Sequence, residues 1–349
     1  MLFYISGHGL GHASRAIELI EALTAEDREL HVVVRTNAHP WAFDSVRGPR
    51  VDVHSWDVDP GVVQLDSLHI DEDETARRAA AFYRTFDRRV EREAEHVRRL
   101  GAALIISDIA PLGIAAAHQA GIPSVAVANF TWDWIYGYYQ RFERMAPGVV
   151  ETIAAAYARA DMSLRLPIHG GFDSMSAVTR DIPFIARRSV RDPAETRRLL
   201  GVDGGAPIVL SSFGGYGIEL PYDRIAASGL TVLAPAHAPP GLRYEDLVAA
   251  ADVVVTKPGY GIVSECVANG TAMLYTSRGR FAEYEVMLAE MPRILRCRYL
   301  EQRDLLDGRW SEAIEALLKQ PPPAERPRVD GAAVAAGMIL EHTFNSRAR

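Results

Sequence analysis

The stretch Ser6-Gly7-His8-Gly9-Leu10-Gly11-His12-Ala13-Ser14-Arg15 constrains this chain more than any other. It follows an apolar run, Leu2-Phe3-Tyr4-Ile5, that reads as a buried strand. It precedes Ala16, Ile17, Ile20 and Leu23, which recur at helical spacing. The glycines therefore sit on a strand-to-helix turn, where they let the backbone take positive φ and approach a ligand closely. A helix start presents unpaired N–H groups and a partial positive charge, which suits a phosphate or an oxyanion. Two histidines on the same loop add groups able to move protons near neutral pH.

Three other readings of this loop fit less well. A dinucleotide fingerprint needs a glycine where His12 stands and an acidic residue about 20 positions on, but the second strand, His31–Arg35, ends in arginine. A metal site at His8 and His12 lacks an accompanying carboxylate or cysteine cluster, so no metal is expected. A purely structural turn explains the glycines but not two histidines and an arginine.

The first half alternates strand and helix. Strands are expected at Leu2–Ser6, His31–Arg35, Val51–His54, Leu104–Ser107 and Ser124–Ala128, and helices at Ala13–Leu23, Thr75–Leu100 and Leu112–Ala120. The strands are short and nearly all apolar, as in a parallel sheet covered on both faces. Ligands of such sheets bind beyond the carboxyl ends of the strands. Besides the opening loop, Asp108 and the segment Asn129-Phe130-Thr131-Trp132-Asp133-Trp134 lie there. Trp132 and its neighbours offer either a stacking wall for a sugar or a helix start capped by Thr131 or Asp133 with the aromatics inside.

Pro167–Arg191 reads as a connector to a second α/β unit, with strands at Ile208–Ser212, Thr231–Ala234, Val253–Thr256 and Ala272–Thr276. The expected division is a first domain over 1–166, a linker over 167–191, a second domain over 192–325 and a terminal helix over 326–349 that crosses back onto the first domain. That helix carries Val334, Met338, Ile339 and Phe344 to bury. Two further glycine loops end strands of the second unit. One is Phe213-Gly214-Gly215-Tyr216-Gly217. The other is Lys257-Pro258-Gly259-Tyr260-Gly261, which leads through Ile262 and Val263 to Ser264 and Glu265. The second opens a helix able to hold a diphosphate with Lys257 as a nearby cation, and Glu265 can accept two hydroxyl protons, as from a ribose.

Length and charge set the outer limits. The 349 residues suffice for two domains, and a net charge of −7 argues against nucleic acid as a partner. Only two cysteines occur, so a reducing compartment is expected. The chain starts directly with its first strand, and no apolar run approaches the ~20 residues of a membrane span. A cytoplasmic protein is expected, with peripheral membrane contact left open.

Two Rossmann-like doubly wound domains facing across a cleft resemble the GT-B glycosyltransferases. Gly7-His8-Gly9-Leu10-Gly11-His12 resembles the opening loop of the family 28 transferases, which include the N-acetylglucosaminyl transferase of peptidoglycan synthesis. The glycosyltransferase-like N-terminal domain of plant L-arabinokinases is more similar still, over Gly7–Arg15, Asn129–Tyr136 and Lys257–Glu265. The resemblance implies a nucleotide-sugar donor, expected to be UDP-linked, on the second domain and an acceptor on the first. It places Glu265 at the donor ribose, Gly214, Gly215, Gly259 and Gly261 along the diphosphate, and Arg278, Glu283 and Tyr284 at the donor sugar. Phe213, Tyr216, Lys257, Tyr260 and Ser264 fall in the same donor loops. His12 is implied as the catalytic histidine, with Asp108 as a rival base. His8, Gly9, Gly11, Arg15, Asn129, Trp132 and Asp133 fall on the acceptor side. One departure is visible. Pro235–Gly241 replaces a strand and loop usual in the second domain, which trims it where the base is read.

The expected activity is metal-independent sugar transfer to a hydroxyl of a small-molecule, lipid-linked or glycan acceptor, with no cofactor. A nucleotide-sugar hydrolase, with water as acceptor, and a non-catalytic nucleotide-sugar-binding module are the alternatives.

Overall fold

A computed structural model describes residues 1–202, 205–214, 217–235 and 239–347, the side chains of 345–347 excepted. Its first sheet is wholly parallel and holds β1 (Leu2–Ile5), β2 (Val32–Thr36), β3 (Val51–Ser55), β4 (Ile105–Asp108), β5 (Ser124–Phe130), β6 (Met162–Gly170) and β7 (Thr179–Asp181), in the order β3-β2-β1-β4-β5-β6-β7. The chain starts at the centre, runs to one edge, then returns past the centre to the other. Every residue of β1, β4 and β5 is buried, because helices cover both faces of a parallel sheet.

The second sheet, also parallel, holds β8 (Ile208–Ser212), β9 (Thr231–Leu233), β10 (Val253–Thr256), β11 (Ala272–Tyr275) and β12 (Cys297–Tyr299), in the order β12-β11-β10-β8-β9. Among the described residues no strand lies between β9 and the helix Tyr244–Ala250, so this sheet has five strands to the first sheet's seven. Both sheets reverse direction beside their first strand, and that is where their carboxyl edges can hold a ligand.

Three expectations about elements are corrected. The expected helix Thr75–Leu100 is two helices, Glu72–Tyr83 and Phe86–Arg99. Thr85 leaves the helical region at φ −113°, ψ 16°. Phe82, Tyr83 and Phe86 are buried on both sides of the break. The expected connector 167–191 completes β6, makes a 3₁₀ turn at Asp173–Val178 and supplies the edge strand β7. A three-residue edge strand bonded on one side carries little apolar pattern to read. The terminal helix, Gly331–Arg347, packs on the first helix (α1, Leu10–Glu26) through Ala335, Ala336 and Ile339. Phe344, expected to be buried, is 64% exposed, and Val334 and Met338 are only half-buried. Alanine on both helices permits the close approach, so the larger residues are left at the rim.

Candidate active site

Two helix starts, one from each sheet, meet at the centre of the molecule. The first is that of α1, which begins at Leu10 after Gly9 at φ 73°. The second belongs to the helix Tyr260–Asn269 after β10. A Cβ added to Gly261 would lie 3.1 Å from the Cα of Gly11, and one on Gly11 would lie 3.4 Å from the nitrogen of Gly261. The approach is tight at Gly261, where a side chain would press on the Gly11 backbone, and an ordinary contact distance at Gly11. Neither start has a side-chain cap, and neither first turn carries an acidic residue. Their N–H groups and the positive ends of both dipoles are thus left for something else to satisfy.

Beneath these starts lies a buried polar network. Asp108 ends β4, 1% exposed. It accepts from Arg15 Nε at 2.6 Å and Nη2 at 2.5 Å, and its Oδ1 lies 2.8 Å from His12 Nδ1. Arg15 and His12 lie one helical turn apart on α1, so one carboxylate can meet both. Burial alone would push the Asp108 carboxyl up. The charges of Arg15 and His12 and their hydrogen bonds outweigh burial and hold it below its usual range. His12 Nδ1 lies 2.8 Å from both Asp108 Oδ1 and Arg15 Nη2; the tautomer that donates from Nδ1 to the ionised Asp108 leaves Nε2 as the ring's acceptor.

Arg15 Nη1 donates to Asn129 Oδ1 at 2.6 Å, and Asn129 Nδ2 donates to Glu283 Oε1 at 2.7 Å. Glu283 in turn accepts from Arg278 Nη1 at 2.8 Å. Glu283 and Arg278 come from the second domain, so the chain Asp108–Arg15–Asn129–Glu283–Arg278 runs across the interface. Backbone strain marks its two fixed points. Ile109, directly after Asp108, sits at φ 66°, and Ile168, whose carbonyl takes the other N–H of Asn129 at 3.4 Å, sits at φ 55°. A β-branched residue enters that region only where its surroundings force it, and such strain gathers at functional sites. Tyr157 helps by donating to the Ile109 carbonyl at 2.6 Å.

His8 has a different role. Its Nδ1 accepts from the Val62 N–H at 3.4 Å, so its proton sits on Nε2. Burial, with the neighbouring His12, Arg278 and Lys257 charges, holds it well below the ordinary histidine range. It stacks on Phe281 at 5.6 Å and meets Trp132 edge-on at 5.6 Å. His8 is therefore a neutral donor. Lys257 is pushed down to about 8 by burial and by the Arg278 charge, which still leaves it mainly a cation at pH 7 beside the second helix start.

The structure brings His8, His12, Arg15, Asp108, Asn129, Lys257, Arg278 and Glu283 together with the backbone of Gly9, Gly11, Gly259 and Gly261. Other expected site residues face elsewhere. Trp132 is fully buried, stacked on Tyr136 at 5.5 Å, and is a floor under the two histidines instead of an open wall. Asp133 is spent on the start of its own helix: it accepts from the Trp134 N–H and from the Ser174 hydroxyl, both at 3.0 Å. Tyr260 lies inside, under Arg15 at 5.2 Å. Ser264 bonds back to the Gly261 carbonyl at 2.8 Å, and the Phe213 side chain belongs to the core of the second domain. Glu265 is buried and takes Arg187 Nε at 2.7 Å. Burial raises it, and Arg187 opposes that rise only in part. Tyr284 is half-buried near Tyr275, and Gly214 stands exposed at φ 73°. Gly215 and Tyr216 lie outside the described residues.

Sequence reasoning missed two features. Asp59 is fully buried, bonded by the Ser6 hydroxyl at 3.1 Å, and burial pushes it up to about 7. The other is a loop of the first domain that docks on the second. The Ser67 hydroxyl donates to the Phe213 carbonyl at 3.0 Å and also to that of Gly217, and Leu68 joins the second domain's apolar core. Asp59 stands in a segment with no periodicity, and its one signal was a charged residue after the apolar Val58.

No family model matches the chain. L-arabinokinase of Arabidopsis thaliana is 31% identical over 368 residues, an alignment covering 97% of this chain and 34% of that protein. The chain thus spans 34% of the length of its curated relative. Among solved structures, the calicheamicin glycosyltransferase CalG4 superposes with a TM-score of 0.60 at 17% identity, over 99% of this chain and 97% of its own. The glycotransferase of kitacinnamycin gives 0.59 at 18%, over 98% of each chain. A UGT transferase from Siraitia grosvenorii, solved with UDP, gives 0.56 at 12%, over 98% of this chain and 99% of its own. These likenesses show the fold: two parallel α/β domains in the GT-B arrangement of the glycosyltransferases.

Proposed function

Taking the GT-B fold as the premise, we propose that this chain is a glycosyltransferase that moves a sugar from a nucleotide-diphosphate donor to an acceptor hydroxyl. One observation carries the reading: two uncapped helix starts meet over a buried histidine–carboxylate pair, with Lys257 and Arg278 beside them. Those starts supply the N–H groups and positive potential that a diphosphate leaving group requires.

In this reading His12 Nε2 takes the proton of the acceptor hydroxyl, Asp108 steadies the ring through Nδ1, and the acceptor oxygen attacks the anomeric carbon. The bond from that carbon to the diphosphate oxygen breaks, and the electron pair leaves with the diphosphate, whose charge the helix starts, Lys257 and Arg278 oppose. The neutral His8 donates a hydrogen bond to substrate. Arg15 positions Asp108, and Glu283 and Asn129 hold the two domains in register. A uridine-linked donor agrees with the Siraitia grosvenorii neighbour solved with UDP. The relation to L-arabinokinase adds no kinase reading, because the chain spans a third of that protein.

Hydrolysis is the second reading, and one finding brings it forward: with Trp132 buried, the aromatic wall no longer argues for a stacked acceptor. One experiment separates the readings. The protein is incubated with UDP-, dTDP- and GDP-sugars, with and without hydroxyl acceptors, and released nucleoside diphosphate is followed together with the sugar product. Acceptor-dependent release with a new glycoside supports transfer. Acceptor-independent release of free sugar supports hydrolysis, and binding without release supports a non-catalytic module.

A further inference from the structure

A cavity of ≈ 280 Å³ opens beside His8 on the first domain. Its polar lining is His8, Asn37, Gln64 and Arg78, with the backbone of Gly7 and Gly61 between them. Residues 60–64 form one wall, and that wall is pinned from several sides. Asn37 Nδ2 donates to the Asp59 carbonyl at 2.9 Å, Tyr136 donates to the Gly61 carbonyl at 2.8 Å, and the Val62 N–H donates to His8. Further on, Gln64 pairs with Ile70 across a tight turn whose tip, Ser67 and Leu68, is anchored on the second domain. The cavity is therefore bounded on one side by a loop that both domains hold.

We propose that this cavity is the acceptor subsite, and that the acceptor is a small hydroxyl-rich molecule of monosaccharide size. The inference rests on the transferase reading and adds the substrate class. Size is the first argument. Pockets for drug-sized ligands run from about 300 to 1,000 Å³, and this one, at ≈ 280 Å³, lies below that range. Chemistry is the second. Two side-chain amides, a guanidinium and an imidazole line the space. Asn37 and Arg78 already hold the Asp59 carbonyl and Glu74, and an apolar ligand would leave the Gln64 amide and the His8 Nε2–H without a partner, which a site of this kind disfavours. The Gln64 amide has no hydrogen-bond partner among the described residues, so it is free to meet a hydroxyl. The third argument is the lack of a stacking face nearby: Trp132 is fully buried, and Trp134 packs against Gly170. His8 borders the cavity, and its ring lies 6.4 Å from that of His12, so a hydroxyl held there is close to the proposed base.

The test uses the wild-type chain with a radiolabelled UDP-hexose and two sets of acceptors. One set is glucose, xylose and myo-inositol, and the other is umbelliferone and testosterone. Glycosides of the first set alone are expected. Transfer to the aromatic or steroid hydroxyl with equal or higher kcat/KM would overturn the inference, as would donor turnover that none of the five acceptors increases. Calorimetry with UDP separates the two levels. If UDP binds and no small polyol is glycosylated, the acceptor assignment alone fails. If no nucleotide-sugar binds or turns over, the transferase reading fails and takes this inference with it. Gln64→Leu and the exposed Arg78→Leu give a second line. Each should raise the KM for the small polyol about five-fold with kcat within about two-fold, the effect of one lost hydrogen bond. An unchanged KM in both folded variants would overturn the assignment.

Discussion

Arg15→Met removes the guanidinium on which the buried network depends and keeps most of its apolar volume. In the folded chain Arg15 is 3% exposed and Asp108 1%. Arg15 gives Asp108 two hydrogen bonds, at 2.6 and 2.5 Å, and gives Asn129 a third at 2.6 Å. Methionine leaves a buried carboxylate with only the His12 ring for a partner. Two charge-assisted bonds at about 1.5–3 kcal/mol each set the scale, and relief of the desolvation of Arg15 offsets part of it. The expected loss is about 3–5 kcal/mol, as found when one partner of a buried pair is removed. That is a large share of the ~5–15 kcal/mol of an ordinary domain.

The pH dependence follows with a definite sign. In the wild type the folded Asp108 carboxyl lies below its usual range, so its contribution is present above about pH 3.9 and is lost as pH falls through the folded value. In Arg15→Met, burial is no longer outweighed and the folded carboxyl rises above its unfolded value. The ionised form then destabilises the fold at neutral pH, and protonation relieves this as pH falls. Urea unfolding at pH 7 and at pH 5 should therefore show a gap between the two proteins that is widest at pH 7 and narrower at pH 5. A loss under about 1 kcal/mol at pH 7, or a gap that widens on acidification, would refute the electrostatic account.

Other outcomes follow from the same contacts. Leu68→Ala should destabilise the chain by about 2–3 kcal/mol and speed proteolytic cutting within residues 60–70, because Leu68 is the apolar anchor of the cross-domain loop; an unchanged cutting rate would mean that the loop is held by Ser67 alone. Glu265→Ala should leave UDP affinity nearly unchanged in calorimetry, because its carboxylate is buried on Arg187; a loss of roughly 1.5–3 kcal/mol in a folded variant would return Glu265 to the donor site. Turnover should survive EDTA, because among the described residues no three His, Cys, Asp or Glu side chains are grouped to hold a metal ion; complete loss restored by Mg²⁺ would contradict this.

The fold was legible because the strands that build it are nearly pure apolar runs, and a parallel sheet buried on both faces demands such runs. The ends of β4 and β5 were legible for the same reason: a carboxylate at Asp108 and an amide at Asn129 have no reason to be inside unless something meets them. What meets them was not legible. Arg15 reaches Asp108 across 93 positions, Asn129 reaches Glu283 across 154, and Arg187 reaches Glu265 across 78. Such partnerships leave no local pattern. Trp132 misled because an aromatic beside polar residues reads the same on a binding wall and in a core. The docking of Ser67 and Leu68 on the second domain depends on how the two sheets face each other, which no window of sequence records.

Central to this account is that His12, held by Asp108, takes the acceptor's proton. Steady-state kinetics of His12→Ala, paired with calorimetry of donor binding, tests this most directly. The account predicts a fall of about 10²–10⁴-fold in kcat, the usual contribution of general acid–base catalysis, with donor affinity nearly unchanged. Near-normal turnover by a folded His12→Ala, with activity abolished in Asp108→Asn, would contradict it and move the base to the carboxylate.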